Sequence, residues 1–503
     1  MRALISVYDK TGLEQFAKDL IELGWEILST GGSYRYLKEH GISVEEVSDY
    51  TKFPEIIGGR VKTLHPKIHG GILYRRGIDD DETKNLAIEG IDMVVNNLYP
   101  FEECLREGGE HPLLMDQIDI GGPAMIRAAA KNYMDVYILT DPKDYGKMID
   151  ILKSEKEDRF FRLQLAQKAF QKTSSYDGII ASYFNRVAED DFPEILTKSY
   201  YKKKELRYGE NPHQKAAYYE DLDPTKIHEI RVLQGKELSY NNINDIYSAV
   251  KINKEFKEIC AVAVKHTNPC GIALGKNGAD AFEKCRQADP ESIFGGIVVI
   301  NTEIDKKCAN QLQKIFLEIV VAPAFHPEAL EILSNKKNLR LIEIPDFHGI
   351  SLPSPKIREV FNGVLVQEKD DQLFLDNEFK IVTNRRPSVE ELEEALFAWR
   401  VVKNVASNGV VITKDRKTLG IGQGETKRSW AVEEAIERAG DDIQGGVFAS
   451  DGFFFRDTME LLYKAGVKMI IQPGGSIKDQ EVIDFANEHD MSIVFTSIRH
   501  FRH

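Results

Sequence analysis

The sequence predicts an α/β protein of several domains, with a largely parallel sheet in its first part. Apolar runs typical of strands alternate there with helical patterns, as they do in βαβ units. The chain of 503 residues is roughly three to four times the length of a typical domain. Apolar residues make up 42% of it, which is enough to bury several cores and excludes wholesale disorder.

The elements of the first part follow from apolar periodicity and from signals at helix ends. Thr11 and Glu14 have the spacing of a capping box, and Gly24 follows as a signal for the end of that helix. Pro123 falls in the first turn of another helix, where proline is favoured. Strands are predicted over residues 3–7, 25–29, 92–96 and 136–140, and helices from Thr11 to Leu23, from Ser33 to His40 and from Gly121 to Lys131.

Two breaks in this pattern divide the chain into three segments. Near Thr197–Lys204 the run KSYYKKK is typical of a solvated linker rather than of a binding patch. Across Ile344–Lys356, prolines and Gly349 interrupt the periodicity. We therefore place the domains at residues 1–197, 198–355 and 356–503.

The second and third segments share a block of sequence. Gly295–Gly296 and Gly445–Gly446 lie 150 residues apart, and each pair follows a helical stretch and precedes an apolar run. An interval of this size is that of a domain rather than of a short repeat. We expect two similar α/β units in these segments.

The charge and the cysteine content exclude several classes of protein. The net charge of −14 argues against a general binder of DNA or RNA, because an acidic chain repels polyphosphate at long range. The five cysteines form no CxxC pair, so we expect neither a disulfide framework nor a zinc ribbon, and a reducing cytoplasm fits best. The apolar run at the start is too short for a signal peptide, and no stretch is long enough to span a membrane.

Two glycine-rich stretches of the first segment could bind an anion. Residues 58–71, GGRVKTLHPKIHGG, carry lysine, arginine and histidine without an acidic partner, which indicates a loop around an anionic ligand. Thr30–Ser33 follows a strand and precedes a helix, where backbone N–H groups can face a phosphate. Taken alone, Thr30–Ser33 is better explained as a tight turn between strand and helix.

Four polar side chains of the first segment could orient and polarise a neutral heterocycle. They are Lys62, Tyr99, Asp119 and Lys131. Tyr99 follows a strand, which is where α/β folds place ligand contacts. A purely structural alternative is that Asp119 caps the helix from Gly121 and that Lys131 complements its C-terminal dipole.

In the second segment, an adjacent lysine and histidine end a buried strand. His266 can act as a general base near neutral pH, and the positive charge of Lys265 favours its neutral form. The same stretch invites comparison with a zinc deaminase. However, Asn268 replaces the required glutamate and no second cysteine follows Cys270 at the required spacing, so a zinc site is unsupported.

Together, these motifs resemble those of the bifunctional AICAR transformylase/IMP cyclohydrolase family of purine biosynthesis. The similar segments run from Ser6 to His503 and include GGRVKTLHPKIHGG, NLYPF, QIDIGG, RAAAKN, LRYGENPHQ, VKHTNPCG, IGQGETKR and the final RHFRH. The resemblance implies a cyclohydrolase domain of methylglyoxal-synthase-like α/β fold with a parallel sheet at residues 1–197. It also implies a transformylase of two cytidine-deaminase-like α/β units at residues 198–355 and 356–503, and a homodimer.

The resemblance assigns the ligands and residues of the transformylase. Its substrate is AICAR, its co-substrate is 10-formyltetrahydrofolate, and it requires no metal. The implied catalytic residues are Lys265, His266 and Asn408. The residues implied to bind AICAR are Arg207, Tyr208, Gly295, Glu318, Arg428 and Arg499, and those implied to bind folate are Phe294, Phe455 and Asp457. The family's proline is missing from Asp451–Asp457, so the folate-contacting phenylalanine stays open among residues 453–455.

For the cyclohydrolase, the resemblance implies that Lys62, Tyr99, Asp119 and Lys131 close formyl-AICAR to IMP. The residues implied to hold the nucleotide are Ser6, Lys10, Thr30, Gly31, Gly32, Ser33, Arg60, Thr63, Gly121 and Gly122. The alternative from another class is a non-catalytic regulatory protein that binds a purine nucleotide. The Lys265–His266 pair argues against this alternative, because binding alone does not need a general base.

Overall fold

The computed structural model describes residues 1–154, 159–223, 228–375 and 379–503. The chain forms two compact units. The first unit contains Met1–Tyr201 and Tyr219–Ile227, and the second contains Lys202–Tyr218 and His228–His503. Each unit has its own buried hydrophobic core, and the second unit has three core clusters on its sheet.

The first unit is built on a parallel sheet. Its strands are β1 (Arg2–Val7), β2 (Glu26–Ser29), β3 (Glu45–Glu46), β4 (Met93–Asn97) and β5 (Tyr137–Leu139), in the order β3-β2-β1-β4-β5. Every pairing in this sheet is parallel. Central strands such as β1 are apolar on both faces because helices cover both sides. The predicted α/β fold with a parallel sheet is confirmed.

The helices of the first unit agree with the predictions at some ends and not at others. They are α1 (Leu13–Glu22), α2 (Gly31–Glu39), α3 (Val47–Thr51), α4 (Pro66–Leu73), α5 (Asp80–Asn85), α6 (Phe101–Arg106), α7 (His111–Asp116), α8 (Gly121–Lys131), α9 (Tyr145–Ser154) and α10 (Arg159–Val187). The predicted capping box at α1 is wrong. Gly12 is the N-cap, with a φ of +69°, and no described side chain caps the helix. The Thr11 hydroxyl instead donates to Asp9 at 2.7 Å, and Glu14 pairs with Lys18 at 2.5 Å.

The carboxyl ends of the parallel strands meet at one edge of this sheet, which we call the carboxyl edge. Because β1 lies between β2 and β4, the loops that follow these three strands are neighbours. Helix α8 leads back to the start of β5, so it begins near the carboxyl edge and ends at the opposite edge. The two ends of α8 therefore belong to different regions of the unit.

The second unit is built on a mixed sheet of twelve strands. From Tyr200 onwards, the described part of the chain contains the strands β6 (Tyr200–Leu206), β7 (Ala216–Asp221), β8 (Arg231–Gln234), β9 (Cys260–Lys265), β10 (Asn268–Leu274), β11 (Ile297–Ile300), β12 (Ile319–Ala322), β13 (Arg340–Glu343), β14 (Lys356–Val360), β15 (Gly363–Gln367), β16 (Lys380–Ile381), β17 (Val410–Lys414), β18 (Lys417–Gly422), β19 (Val447–Ser450), β20 (Met469–Gln472) and β21 (Ser492–Phe495). The twelve strands follow the order β16-β21-β20-β19-β17-β18-β10-β9-β11-β12-β13-β8. Two-stranded sheets are formed by β6 with β7 and by β14 with β15.

The order of elements in the second unit occurs twice. Its helices are α11 (Tyr240–Asn253), α12 (Gly278–Ala288), α13 (Lys306–Leu312), α14 (Pro327–Ser334), α15 (Val389–Val402), α16 (Arg428–Ala439), α17 (Arg456–Ala465) and α18 (Asp479–Glu488). The first half runs α11-β9-β10-α12-β11-α13-β12-α14-β13, and the second runs α15-β17-β18-α16-β19-α17-β20-α18-β21. This is the pair of similar α/β units that the repeated Gly-Gly block predicts. The halves join where β10 pairs antiparallel with β18.

The stretch predicted as a linker is a strand. Residues Tyr200–Leu206 form β6, and most of its side chains are exposed, which explains why its lysines suggest a solvated linker. Adjacent tyrosines favour extended backbone, and pairing with β7 completes the strand. At the second predicted break, residues 344–355 consist of turns, bends and irregular backbone.

Strand directions bring the ends of strands from both halves to one edge of the large sheet. β9 is antiparallel to β10 and β11, and β17 is antiparallel to β18 and β19. Because β10 and β18 are also antiparallel, the ends of β9, β18 and β19 share an edge with the beginnings of β11, β12 and β17. We call this the His266 edge.

Candidate functional site

At the carboxyl edge of the first unit, side chains tie the loops of neighbouring strands together. Asn97, at the end of β4, accepts hydrogen bonds from the N–H groups of Tyr8 at 2.6 Å and Asp9 at 2.9 Å. The Ser33 hydroxyl lies 2.9 Å from both the N–H and the carbonyl oxygen of Val7. The loop after β1 is therefore held from β4 on one side and from α2 on the other.

Two lysines approach the turn that begins α2. A Cβ atom on Gly31, whose φ is +55°, would lie 3.0 Å from the Nζ atom of Lys62. A Cβ atom on Gly32 would lie 4.0 Å from the Nζ atom of Lys10. Thr30 donates from its hydroxyl to Glu55 at 2.6 Å. Two ammonium groups at the N-terminus of a helix form a region that favours a phosphate or another anion.

A second set of polar groups lies beside these lysines. Asp119 accepts a hydrogen bond from the Gly122 N–H group at 2.8 Å. Burial raises the pKa of the Asp119 carboxyl, and the Gly122 N–H group, the positive charge of Lys62 and the Tyr99 backbone oppose that rise. A Cβ atom on Gly121 would lie 2.8 Å from the hydroxyl oxygen of Thr63. The structure thus brings together Lys62, Thr63, Tyr99, Asp119, Gly121 and Gly122, a set that we call the Asp119 cluster.

Two residues of the predicted set lie elsewhere. With a rise of ~1.5 Å per residue, Lys131 is about 15 Å along α8 from Gly121, at the opposite edge of the sheet. The structure therefore does not bring Lys131 to the Asp119 cluster within one chain. Arg60 is exposed and forms an ion pair with Asp116. Its guanidinium is thus engaged by a carboxylate of this chain.

The sequence analysis missed several residues that build this site. Glu55 has no motif around it, whereas Asn97 could have been found because it ends a buried strand and begins the motif NLYPF. The hydroxyl of Tyr176 accepts from the Asp119 N–H group and donates to the Gln117 carbonyl oxygen, each at 2.8 Å. Burial raises the pKa of Tyr176 to about 12, so it stays a hydrogen-bond donor at neutral pH. Tyr176 lies on α10, for which the sequence analysis made no prediction.

In the second unit, Lys265 and His266 lie at the end of β9 in a two-residue hairpin turn. Lys265 pairs with Asn268 across the turn, and the φ angles of His266 and Thr267 are +54° and +63°. Such turns usually carry Asn-Gly, because a positive φ costs other residues roughly 1–2 kcal/mol each. His266 is exposed, and the Lys265 ammonium donates to the Phe294 carbonyl oxygen at 3.0 Å.

The neighbouring strands of the first half add further predicted residues to the His266 edge. Gly295 precedes β11 and has a φ of +73°, and the Phe294 ring beside it is 59% exposed. Glu318 precedes β12, accepts from the Asn242 amide at 2.9 Å and pairs with Arg340 at 3.3 Å. Lys265, His266, Phe294, Gly295 and Glu318 form what we call the His266 cluster.

The second half contributes a cluster that is centred on a buried carboxylate. Asp451 is fully buried, forms an ion pair with Arg428 and accepts from the Gly409 N–H group at 3.0 Å. Arg428 also donates to the Asn408 side-chain oxygen at 2.8 Å. This arrangement, which we call the Arg428 cluster, fixes Asn408 at the beginning of β17. Asp451 was named in the sequence analysis only as part of a phenylalanine-rich run.

The remaining predicted residues of this unit surround the two clusters or follow β6. Phe455 is the N-cap of α17 and is 45% exposed, and Asp457 accepts from the Thr458 N–H group at 2.9 Å. The Arg499 guanidinium lies 5.1 Å from the centre of the Phe501 ring. Arg207 and Tyr208 follow β6, with the guanidinium 5.0 Å from the tyrosine ring centre.

One chain keeps the His266 cluster and the Arg428 cluster apart. Three strand-to-strand steps separate β9 from β17, which corresponds to about 14 Å at ~4.8 Å per step. Lys265 and His266 therefore lie on the same edge as Asn408. Within one chain, however, they are too far from Asn408 for all three side chains to contact the same small group of a ligand. Of the residues predicted for the transformylase, those of the His266 and Arg428 clusters thus lie on one edge in two separate groups.

Neither metal binding nor a membrane span is indicated by the described part of the chain. Within residues 1–154, 159–223, 228–375 and 379–503, histidine, cysteine, aspartate and glutamate side chains form no group of three that could hold a metal ion. Among the helices that the structure describes, each is too short or too polar to span a bilayer.

Curated relatives match the chain over its full length. The bifunctional purine biosynthesis protein PurH of Aquifex aeolicus is 49% identical over 514 residues, and the match covers 100% of both chains. The PurH proteins of Anoxybacillus flavithermus and Oceanobacillus iheyensis are 50% and 48% identical, covering 100% of this chain and 99% of each relative.

Two family models match successive stretches of the chain. The model described as an MGS-like domain matches residues 12–124, within the unit that carries the parallel sheet. The model described as AICARFT/IMPCHase bienzyme matches residues 129–438. With relatives about half identical over its whole length, the chain belongs to the AICARFT/IMPCHase bienzyme family.

Proposed function

We propose that this protein catalyses the last two steps of IMP synthesis. It transfers a formyl group from 10-formyltetrahydrofolate to the 5-amino group of AICAR and then closes formyl-AICAR to IMP with loss of water. The observation that carries this proposal is the presence of two chemically distinct polar sites, one in each unit, in a chain that matches bifunctional relatives throughout. Neither site needs a metal for this chemistry.

Formyl transfer is assigned to the His266 edge. The amine nitrogen of AICAR attacks the formyl carbon, while His266 accepts the amine proton and Lys265 with Asn408 stabilises the charge on the oxygen. The bond between the formyl carbon and the folate nitrogen then breaks, and that nitrogen takes up a proton to give tetrahydrofolate. Arg207, Tyr208, Gly295, Glu318, Arg428 and Arg499 hold AICAR, and Phe294, Phe455 and Asp457 contact the folate.

Ring closure is assigned to the Asp119 cluster. Both reacting groups belong to the same molecule, so holding the formyl group against the carboxamide nitrogen supplies much of the rate. Lys62 and Tyr99 polarise the formyl oxygen, and Asp119 accepts a proton from the carboxamide nitrogen before water leaves. Ser6, Lys10, Thr30, Gly31, Gly32, Ser33, Arg60, Thr63, Gly121 and Gly122 hold the nucleotide. No step is assigned to Lys131, because it lies at the far end of α8.

The active transformylase is proposed to be a homodimer in the cytoplasm. Within one chain the His266 and Arg428 clusters lie about 14 Å apart along the sheet edge. A second copy could place its Arg428 cluster opposite the His266 cluster and so complete the site. The five cysteines are unpaired, which suits a reducing compartment.

The decisive assay supplies the protein with AICAR and 10-formyltetrahydrofolate and measures IMP. His266→Ala should lower formyl transfer by about 10²–10⁴-fold, the range for loss of a general base, while cyclisation of added formyl-AICAR persists. Lys62→Ala should show the opposite pattern and serves as the matched control. Binding of AICAR without turnover in the unsubstituted protein would contradict the proposal and favour a regulatory binding protein. Loss of both activities in folded His266→Ala would contradict the assignment of two sites.

A further inference from the structure

The turn that carries His266 is held by two side chains of α11. The Thr267 N–H group donates to the Asp245 carboxylate at 2.7 Å, and the Ser248 hydroxyl donates to the Thr267 carbonyl oxygen at 2.7 Å. Asp245 and Ser248 are three residues apart on one helix, so they lie on the same face. Together they bond both the backbone N–H group and the carbonyl oxygen of Thr267. Ser248 is buried, and Asp245 is half-buried.

These bonds offset an unfavourable backbone conformation. Thr267 is β-branched and has a φ of +63°, and His266 before it has a φ of +54°. Neither residue favours this region, so surrounding contacts must hold the turn in place. Without these two hydrogen bonds from α11, the turn would relax and the imidazole of His266 would change its position at the end of β9.

The second half of the unit contains an equivalent turn, bonded to a carboxylate of a helix in the same way but without a histidine. Asp415 and Arg416 form the equivalent turn, with φ angles of +55° and +54°. The Arg416 N–H group donates to the Glu394 carboxylate at 2.7 Å. Glu394 is the sixth residue of α15, as Asp245 is the sixth residue of α11. The chain thus provides an internal control, in which the same bond supports a turn that carries no catalytic group.

We propose that Asp245 is a positioning residue for formyl transfer, which fixes the orientation of His266 through its hydrogen bond to Thr267. The inference rests on the proposed role of His266 as the base. Burial raises the pKa of the Asp245 carboxyl, and the hydrogen bond from Thr267 and the charge of His266 oppose that rise. The charged groups that face the pair are Lys265, which precedes His266 in the turn, and Glu318 at the start of β12.

The hydrogen-bond acceptor of Asp245 can be tested by two substitutions. Asp245→Asn keeps an oxygen that accepts from Thr267, whereas Asp245→Ala removes it. Glu394→Ala is the matched control for Asp245→Ala, because it removes the corresponding acceptor in the second half. For each full-length variant, kcat and KM for AICAR in formyl transfer, the rate of formyl-AICAR cyclisation and the thermal unfolding midpoint would be measured.

We expect Asp245→Asn to retain formyl transfer within about fivefold, because its amide oxygen can still accept from Thr267. Asp245→Ala should lower kcat for formyl transfer by about tenfold or more with little change in KM, because the base is displaced. Glu394→Ala should leave both constants unchanged. Cyclisation should persist in all three.

Two results would overturn the inference. One is an unchanged kcat for Asp245→Ala; if that variant does not fold, Ser248→Ala, which loses one bond to Thr267, takes its place. The other is a fall in kcat for Glu394→Ala equal to that for Asp245→Ala, because both bonds would then act only on stability. Full formyl transfer by His266→Ala is a separate result, which would remove the proposed base itself.

Discussion

Gly31 allows the ammonium group of Lys62 to lie against the turn that begins α2. The glycine has a φ of +55°, and a side chain there would meet the Lys62 Nζ atom at 3.0 Å. At this separation the Lys62 ammonium has to shift when a methyl group is added to Gly31. The carboxyl edge therefore depends on the absence of one side chain.

Gly31→Ala should lower cyclisation of formyl-AICAR by about tenfold or more, because a shift of the Lys62 ammonium weakens transition-state stabilisation. Gly41→Ala is the matched control, since Gly41 has a φ of +71° but no atom within 4 Å of the added carbon. Both variants should lose about 1 kcal/mol of stability from backbone strain. Equal cyclisation rates in the two variants would show that the contact with Lys62 does not matter.

We expect the ionised Asp119 carboxyl to lower the stability of the fold while it supports cyclisation. A carboxyl group whose pKa is raised by burial destabilises the fold once it is ionised, and this cost disappears as the pH falls. Asp119→Asn keeps an acceptor for the Gly122 N–H group without the charge. We expect a higher unfolding temperature than that of the unsubstituted protein at pH 7, a difference that vanishes below about pH 4, and loss of cyclisation. A lower unfolding temperature at pH 7 would contradict this reasoning.

At the scale of elements, the sequence predicts those whose signals are local. The strands of the parallel sheet are continuous apolar runs, and α8 begins and ends at the predicted residues. Helix α10 was not predicted, because exposed apolar side chains such as Phe160, Leu163 and Phe170 lie among its buried ones and obscure the apolar period of its buried face. The bonds that connect Tyr176 to Asp119 and Asp245 to Thr267 join residues distant in sequence, which no spacing rule reveals.

The C-terminal tail is another element whose structure local sequence signals do not predict. A run of arginine and histidine at a chain end is usually solvated, yet His500 is buried. Its Nδ1 atom lies 2.7 Å from the Asp370 carboxylate, and its ring centre lies 4.7 Å from that of Trp399. The tail is therefore a packed element of the second unit, held by contacts with residues 100 or more positions earlier.

His500→Ala should destabilise the second unit by about 2–3 kcal/mol, through the cavity beside Trp399 and the loss of a partner for Asp370. Denaturant unfolding followed by tryptophan fluorescence would measure this change, since Trp399 and Trp430 lie in the second unit and Trp25 lies in the first. His503→Ala is the control, since that side chain is exposed at the end of the same tail. An unchanged midpoint for His500→Ala would mean that the tail contributes nothing to folding.

At the scale of the whole molecule, the two proposed sites lie in separate compact units. A mixture of His266→Ala and Lys62→Ala should therefore form IMP from AICAR, although neither variant does so alone. The first variant retains cyclisation and the second retains formyl transfer, so formyl-AICAR released by one is consumed by the other. A mixture no more active than its components would indicate that both reactions need one intact chain.

The separation of the His266 and Arg428 clusters predicts different responses to dilution. If a second copy completes the transformylase site, formyl transfer per chain should fall once the protein is diluted below the dissociation constant of the dimer. Cyclisation per chain should stay constant, because the Asp119 cluster comes from one chain. Parallel loss of both activities, or of neither, would argue against a shared transformylase site.

The antiparallel seam between β10 and β18 has a consequence for where equivalent groups of the two halves lie. Because these equivalent strands run in opposite directions, an approximate two-fold axis relates the halves, and the counterpart of the His266 edge in the second half is the opposite edge of the sheet. In this chain one edge carries the turn with His266, and the opposite edge carries its counterpart with Asp415 and Arg416. The two halves thus differ in the groups that they supply: the first has His266, the proposed base, in its turn, and the second has the buried Asp451, whose partner Arg428 holds Asn408.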